Sequence, residues 1–364
     1  AAAAAAAAAG SGLNTGVKGR VPSRHSTAAA DKLAVTFQTS LALLSEALER
    51  GSTRAAQSGE AESLPFDMEV LAMALSLPDH RTLSADLELL DPALLHCARQ
   101  SVRQTVAAVC RQQMEPLYHQ LFSAGQGKDY SPSKEQIGQR MLQNTLLWYL
   151  TAANMPKGGD LAYAQFRKAA NMTDKMSALT CLLSVPDQPA KQMEPREEAD
   201  SYSQLKQMEP REEAGSTSHL KQDALERLYL ECQGDALMLD KWFSCQARAD
   251  ADTSEQVIAT IYRLLDHKDF TLTNPNRVRS VLLAFANENP AHFGHLSGEG
   301  YRLVADNVIK LDRINPQIAA RLAGSFAHWR SLDSTRQQMM KGQLLRVQQH
   351  AGISPDTFEM CSRS

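Results

Sequence analysis

The sequence predicts an all-α protein built as an α-solenoid, a superhelix of stacked antiparallel helix pairs. Two observations support this. Apolar residues recur with the spacing of a helix face from Asp31 to the end of the chain. No alternating run of β-branched residues lies between hairpin turns. The helical segments are too many for one simple bundle, whereas stacked pairs bury each helix face on a neighbour and extend along the chain.

The first elements are recognised by an apolar stripe and by their end signals. Phe37, Leu41, Leu44 and Leu48 recur at helical spacing, and Gly51 follows as a stop. The next long helix begins with Asp91 as its N-cap and Pro92 in its first position. Its predicted apolar stripe consists of Leu95, Val102, Val106 and Val109.

Further helices follow with the same pattern. The segment "SPSKEQIGQRMLQNTLLWYLTAAN" has a broad apolar face, and "TDKMSALTCLLS" is predicted to begin with Thr173 as its cap. Because Thr173 completes the glycosylation sequon "NMT" that begins at Asn171, its role as a cap explains the tripeptide without a sugar. The segments "DALERLYLECQG", "DALMLDKWFSCQAR" and "TSEQVIATIYRLLDH" are predicted to be the next three helices.

The chain divides into a leader and one helical domain. Residues 1–30 are alanine-rich and then Gly/Ser-rich and basic without an acid, which predicts a low-complexity, disordered leader. Residues 31–364 are predicted to form the helical-repeat domain, with a charged insertion at 191–220. That insertion is a tandem duplication, Lys191–Leu205 followed by Lys206–Leu220, and has little to bury, so we expect a solvated loop. The missing initial methionine predicts a fragment or a processed product.

Composition restricts the partners and the compartment. The chain has 38 Lys and Arg against 41 Asp and Glu, a net charge of −3, without the clustered basic face that nucleic acids require. No apolar run is long enough to span a membrane. The six cysteines lie far apart without a C-x-x-C, and Cys97 and Cys181 are expected to be buried thiols. This predicts a reducing compartment and a cytoplasmic protein; an acid-free leader also leaves an organelle open.

Catalytic and metal motifs are missing from the sequence. There is no H-E-x-x-H, P-loop, G-x-G-x-x-G or G-x-S-x-G. The closest histidines, His292 and His295, are expected on a loop without a nearby acid as a third ligand, so no metal site is predicted.

Two Asn-Pro pairs lead into arginines. In "TLTNPNRVRS", Asn274 is predicted to cap a helix that Pro275 begins. Arg277 and Arg279 then lie about 200° apart around the helix, so only one can face solvent while the other follows the apolar stripe. Spacing alone favours a snorkelling or ion-paired arginine, and a cavity-facing arginine that binds a carboxylate stays open.

The second pair, in "INPQIAARL", repeats the design. Asn315 is predicted to be the cap and Pro316 the first residue of the helix. Gln317 and Arg321 then stand at i and i+4 on one face. An amide and a guanidinium together suit a peptide backbone or a carboxylate, and they equally suit an ordinary bond between helices.

Several segments resemble one family. "NMTDKMSALT", "MLDKWFSCQA", "FTLTNPNRVRSVLLAFANENPAHF", "GYRLVADNVIKLDRINPQIAARL" and "LDSTRQQMMKGQL" are similar to the C-terminal helical domain of alanyl aminopeptidases (aminopeptidase N), a family of zinc metalloaminopeptidases. The likeness extends from about residue 31 to the end and is strongest after Ala224. It implies an armadillo- or HEAT-like superhelix that encloses a chamber above a catalytic domain.

The resemblance also implies a function for this chain. We expect it to be the C-terminal domain of a zinc-dependent aminopeptidase that removes N-terminal amino acids from peptides. The chain itself lacks the catalytic residues and the zinc ligands, so its partners would be peptides and a catalytic domain, in cis or on a separate chain. Arg279, Gln317 and Arg321 match the family's substrate-facing positions. The alternatives are a stand-alone helical scaffold that binds a protein partner and a nonfunctional fragment.

Overall fold

The computed structural model describes residues 34–39, 41–42, 46, 67–85, 87–152, 157–187, 217–232 and 234–364. The predicted leader at 1–30 lies outside the described residues, as does the predicted duplication at 191–220 apart from its last four residues. Of the predicted helix that ends before Gly51, residues 34–39 are described and are helical.

The described part of the chain is helical throughout, apart from loops and one isolated β-bridge between Leu90 and Leu332. The all-α prediction is therefore confirmed. The α-helices are α1 (Met68–Leu75), α2 (His80–Ser84), α3 (Pro92–Gly125), α4 (Lys134–Leu150), α5 (Gly158–Lys168), α6 (Met172–Leu183), α7 (Thr217–Glu231), α8 (Ala236–Ala247), α9 (Ser254–Leu265), α10 (Pro275–Val278), α11 (Ala284–Glu288), α12 (Pro290–Phe293), α13 (Glu299–Asp312), α14 (Pro316–Ala323), α15 (Ser334–Gln348) and α16 (Pro355–Arg363). A π-helical segment, Arg279–Leu283, joins α10 to α11, and Gly324–Phe326 and Trp329–Ser331 are 3₁₀ turns.

Most helix starts follow the predicted cap chemistry. The Asp91 carboxylate accepts from the backbone N–H groups of Ala93 and Leu94, with Pro92 in the first helical position. The prediction for Thr173 is wrong, because the cap of α6 is Asn171, whose side chain accepts from the N–H of Asp174. The Asn171 amide nitrogen also donates to the Asp174 carboxylate at 2.7 Å. The side-chain nitrogen of the sequon asparagine is therefore engaged inside the fold.

The helices pack mainly against their neighbours in sequence. The most extensive contacts between sequence neighbours join α3 with α4, α5 with α6, α13 with α14 and α15 with α16, and α1 with α4 and α14 with α16 pack closely as well. The apolar residues they bury form one continuous core that extends through all the described helical layers. Sequential packing of this kind is the arrangement of an α-solenoid, and the predicted solenoid is confirmed.

Two details of burial differ from the predicted stripes. Along α3, Leu95, Val102 and Val106 are buried as expected, but Val109 is 38% exposed and Cys110 takes its place in the core. A straight helix drifts relative to a strict repeat, so a stripe over 34 residues shifts by one position. Cys97 is exposed rather than buried, whereas Cys110, Cys181, Cys232, Cys245 and Cys361 are buried, and all six thiols are free.

One long-range junction joins the start of α3 to the last third of the chain. Arg336 is buried, and its Nε donates to the carbonyl of Gly294 at 2.6 Å while its Nη1 donates to Asp333 at 2.6 Å. Its Nη2 lies 3.3 Å from the carboxylate of Asp91. Asp91 and Asp333 are both N-caps, so one arginine fixes the starts of α3 and α15. Within the described ranges, none of the helices is long and apolar enough to cross a bilayer.

Candidate functional site

The first Asn-Pro helix start sends its two arginines in different directions. The Asn274 side chain accepts from the N–H groups of Asn276 and Arg277, and Pro275 opens α10, as predicted. Arg277 is 5% exposed, and Arg279 is exposed to solvent. The angle of about 200° expected between them is therefore realised, with Arg277 on the buried side.

Arg277 lies against helix α8. Its Nη1 is 3.2 Å from Oδ1 of Asp240, and its guanidinium carbon lies 4.7 Å from the centre of the Phe243 ring. Nη1 and Nε nevertheless lack a hydrogen bond, as does Oδ1 of Asp240, because the ion pair is not aligned for one. Burial raises the pKa of Asp240 more than the Arg277 charge lowers it. The pair is thus close but only partly satisfied.

Arg279 stands where the helix widens. It is the first residue of the π-helical segment, in which the N–H of Ala284 bonds the carbonyl of Arg279 across five residues. Its guanidinium donates to the Asn276 side chain at 3.2 Å. Single π turns inside α-helices occur frequently at functional sites. The residue pattern does not predict this π turn.

The second Asn-Pro start presents the other two predicted residues. The Asn315 side chain accepts from the N–H of Ile318, and Pro316 opens α14, again as predicted. Gln317 and Arg321 are exposed on one face of α14, while the opposite face is buried. Neither side chain has a hydrogen bond or an ion pair with any residue that the structure describes. Both are thus available to a ligand.

Both Asn-Pro loops border the same groove. A cavity of about 400 Å³ is lined on one side by Thr271 and Thr273, just before Asn274, and on another by Ile314, just before Asn315. The rest of its wall comes from Tyr262, Leu265, Asp266, Phe270, Leu272, Leu303, Asp306, Asn307 and Lys310. Arg279, Gln317 and Arg321 do not line this groove, and no bond joins them to one another. The structure therefore brings together the two loops, and the three side chains lie on helices that begin at its rim.

A cluster of two histidines and an aspartate corrects one sequence-based expectation. His292 is not on an open loop but buried in α12, and an acid does lie beside it. His292 Nε2 is 2.6 Å from Oδ1 of Asp250, and His96 Nε2 is 2.9 Å from Oδ2 of the same carboxylate. His292 Nδ1 is 2.9 Å from the hydroxyl of Ser254. The sequence could not reveal this cluster, because its three members come from three separate elements.

The geometry of this cluster is that of a structural brace between separate helices. Both histidines direct Nε2 at the carboxylate, and together they connect α3, α12 and the loop between α8 and α9. Burial raises the pKa of Asp250, but the hydrogen bonds from His292 and His96 outweigh that effect and leave the pKa well below its usual range. Asp250 also lines a cavity of about 820 Å³ between α7, α8 and α9. Among the described residues, no three His, Cys, Asp or Glu side chains are arranged to hold a metal ion.

Stacked helices that share one continuous core define a helical-repeat domain. The chain belongs to the family described as "Domain of unknown function (DUF3458_C) ARM repeats", whose model matches residues 29–209 and 199–364. The two matches overlap within the duplicated segment.

Individual relatives agree with this assignment. The chain is 32% identical over 296 residues to an aminopeptidase N of Caulobacter vibrioides, with 80% of this chain and 30% of the relative covered. It is 30% identical over 298 residues to an aminopeptidase N of Haemophilus influenzae, with 82% and 30% covered. The chain thus spans about 30% of the length of the curated relatives it matches.

A solved structure shows the same fold. The crystal structure of Legionella pneumophila aminopeptidase A in complex with aspartic acid matches 92% of this chain and 36% of its own chain, with a TM-score of 0.66 and 25% identity. The resemblance noted in the sequence is therefore confirmed: this chain corresponds to the helical part of an aminopeptidase.

Proposed function

We propose that this chain forms the wall of a peptide chamber in a zinc-dependent aminopeptidase, and that Arg279, Gln317 and Arg321 contact the peptide beyond the bond that is cleaved. Hydrolysis belongs to a catalytic portion outside this chain. The residues described here do not fit a zinc site, so we derive no catalytic step from them.

The observation that carries the proposal is the pairing of Gln317 and Arg321 on α14. The helix is held by its buried face, with Ile318, Ala319 and Leu322 in the core. Its exposed face carries a neutral amide and a cation one helical turn apart, both without partners in the described structure. A peptide backbone or a terminal carboxylate offers the acceptors that this pair needs, and a guanidinium binds a carboxylate through two parallel bonds.

Arg279 would add a second cation from the neighbouring start. Its guanidinium has an amide oxygen of Asn276 as partner but no acid among the described residues. A positive charge without a counterion is suited to a carboxylate, whereas the buried Arg277 already has Asp240. Each of the three residues would bind and orient the peptide without taking part in bond cleavage.

The test compares a long and a short substrate. We join this chain to the catalytic portion of an aminopeptidase N relative and replace Arg321 by alanine. We expect kcat/KM for a peptide of several residues to fall about 10- to 150-fold, the effect of losing one hydrogen bond to a charged group. Turnover of a single amino-acid amide should stay unchanged, because that substrate does not extend to α14.

A matched control is Arg302→Ala. Arg302 is also an exposed arginine, on the adjacent helix α13, and its charge is already paired with Glu299 at 2.6 Å. This variant should leave both substrates unaffected. Equal losses for the peptide and the amide in Arg321→Ala would count against a chamber-wall role, and no loss for either would favour a scaffold that binds another partner.

A further inference from the structure

The two helix starts bury the same position with different residues. The third residue after the capping asparagine is Arg277 in the first start and Ile318 in the second, and they are 5% and 7% exposed. At Ile318 the fold uses an apolar side chain in its core. At Arg277 the equivalent position holds a charge, which is expensive to bury.

A gain in the stability of the fold does not explain why a charged residue occupies position 277. The acid beside it, Asp240, lies at ion-pair distance but without an aligned hydrogen bond, and Nε has no acceptor among the residues that the structure describes. Buried ion pairs with incomplete hydrogen bonding are often matched or exceeded in stability by apolar residues of similar volume. Their best-attested use is to select one register between packed elements.

The register matters at this point of the chain. α10 is a single turn of four residues, and the π segment with its wider turn follows at once. Apolar contacts of Val278 and Val281 hold this stretch in the core but are not directional. The contact of Arg277 with Asp240 and the Phe243 ring is directional, and it ties the turn to α8 at one rotation. Arg279 is two residues further on.

We propose that the buried Arg277 and the half-buried Asp240 form a register pin, an ion pair that sets the rotation of residues 275–283 and thereby points Arg279 away from the core and toward a bound peptide. This inference rests on the proposed function, since it concerns the direction of the Arg279 side chain, which is one of the proposed peptide contacts. Arg277 is in this sense a positioning residue: it acts through Arg279 and does not contact the ligand itself.

The experiment removes the pin without leaving a buried charge. The double variant Arg277→Met with Asp240→Leu replaces the pair by apolar side chains, similar to the second helix start. We measure its melting temperature and the affinity of the complete chain for a fluorescein-labelled penta-alanine peptide with a free C-terminal carboxylate. An amidated peptide is the control for carboxylate binding.

A double-mutant cycle measures whether the contribution of Arg279 to binding depends on the register pin. In the parent chain, Arg279→Ala should weaken binding of the free-acid peptide about 10- to 150-fold. In the double variant Arg277→Met with Asp240→Leu, Arg279→Ala should weaken peptide binding by less than about 2-fold, because the Arg279 side chain is then no longer held toward the peptide. Arg321→Ala should have the same effect in both chains, since α14 does not contain the pin.

The outcomes separate the two proposals. If Arg279→Ala costs the same affinity with and without the pin, the register role is wrong while the peptide contact stands. If neither Arg279→Ala nor Arg321→Ala weakens binding in the parent chain, the proposed function fails. Should the double variant not fold, Asp240→Asn takes its place in the same cycle, because it removes the counterion and keeps the shape. A merely structural role would lower the melting temperature and leave the cycle additive.

Discussion

The two Asn-Pro helix starts share one local design and differ in what holds them. In each, an asparagine side chain caps the helix and a proline occupies its first position. The start at Asn274 is tied to α8 through a buried charge, Arg277, whereas the start at Asn315 is held by the apolar Ile318.

This difference separates two tasks. Local chemistry fixes where each helix begins, and tertiary contacts fix which of its side chains remain free. On α14 the apolar anchor leaves Arg321 exposed, and on α10 a charged anchor leaves Arg279 exposed. The same outcome, an exposed arginine, is reached with two different anchors.

The largest expected effect comes from exchanging the anchors. Ile318→Arg places a cation at a 7% exposed position inside the apolar core. We expect the free energy of unfolding to fall by about 3–5 kcal/mol, as for a buried charge without a partner. Urea unfolding at pH 7 measures this loss in the free energy of unfolding.

Two controls accompany this variant. Ile318→Leu keeps the apolar character and should cost less than about 1.5 kcal/mol. Gln317→Arg puts the same charge on the exposed face and should change stability by no more than about 0.5 kcal/mol. A stable Ile318→Arg chain would mean that position 318 tolerates a charge as position 277 does.

Much of this contrast could be predicted from the sequence, because it is local. The Asn-Pro pairs fixed both caps, and the helical angle between Arg277 and Arg279 required one of them to be buried. The choice of Arg277 could not be predicted, since it depends on Asp240 and Phe243 of another helix. The error at Thr173 had a local cause: two cap-forming residues lie close together, and Asn171 takes the role.

The remaining features depend on long-range contacts. The brace of His96, Asp250 and His292 joins residues that no spacing rule connects. The π turn at Arg279 has no signal in the residue pattern. The assignment of Arg279, Gln317 and Arg321 to a peptide came from family resemblance, and it stays a prediction until the substrate comparison is made.

An intermediate loss of stability is expected when the capping asparagines, Asn274 and Asn315, are replaced. Asn274 accepts two backbone N–H groups, at 3.0 and 3.3 Å, whereas Asn315 accepts one, at 3.2 Å. We expect Asn274→Ala and Asn315→Ala each to lower the free energy of unfolding by about 0.5–2 kcal/mol, with the larger loss at Asn274. Replacing either residue by aspartate should preserve most of the stability, because the acceptor is kept and a negative charge suits a helix start. Equal losses at both sites would show that the second bond at Asn274 contributes nothing.

The smallest expected effect is the change in the free energy of unfolding with pH that Asp240 causes beside Arg277. Ile318 has no titratable group, so the second helix start lacks this dependence. Because burial raises the pKa of Asp240 above its value in the unfolded chain, the folded state binds this proton more readily than the unfolded state does. Wild type should therefore gain stability relative to Asp240→Asn as the pH falls through the folded pKa of Asp240.

Urea unfolding of both chains between pH 7 and pH 4 gives this difference directly. Asp306→Asn is the control, since Asp306 pairs with Arg346 at 2.7 Å and both side chains are about 40% exposed, at 39% and 42%. A difference between wild type and Asp240→Asn that grew in the opposite direction would mean that Arg277 stabilises the carboxylate more than burial penalises it. The register pin would then also stabilise the fold, and the contrast with the apolar anchor at Ile318 would be one of residue type alone.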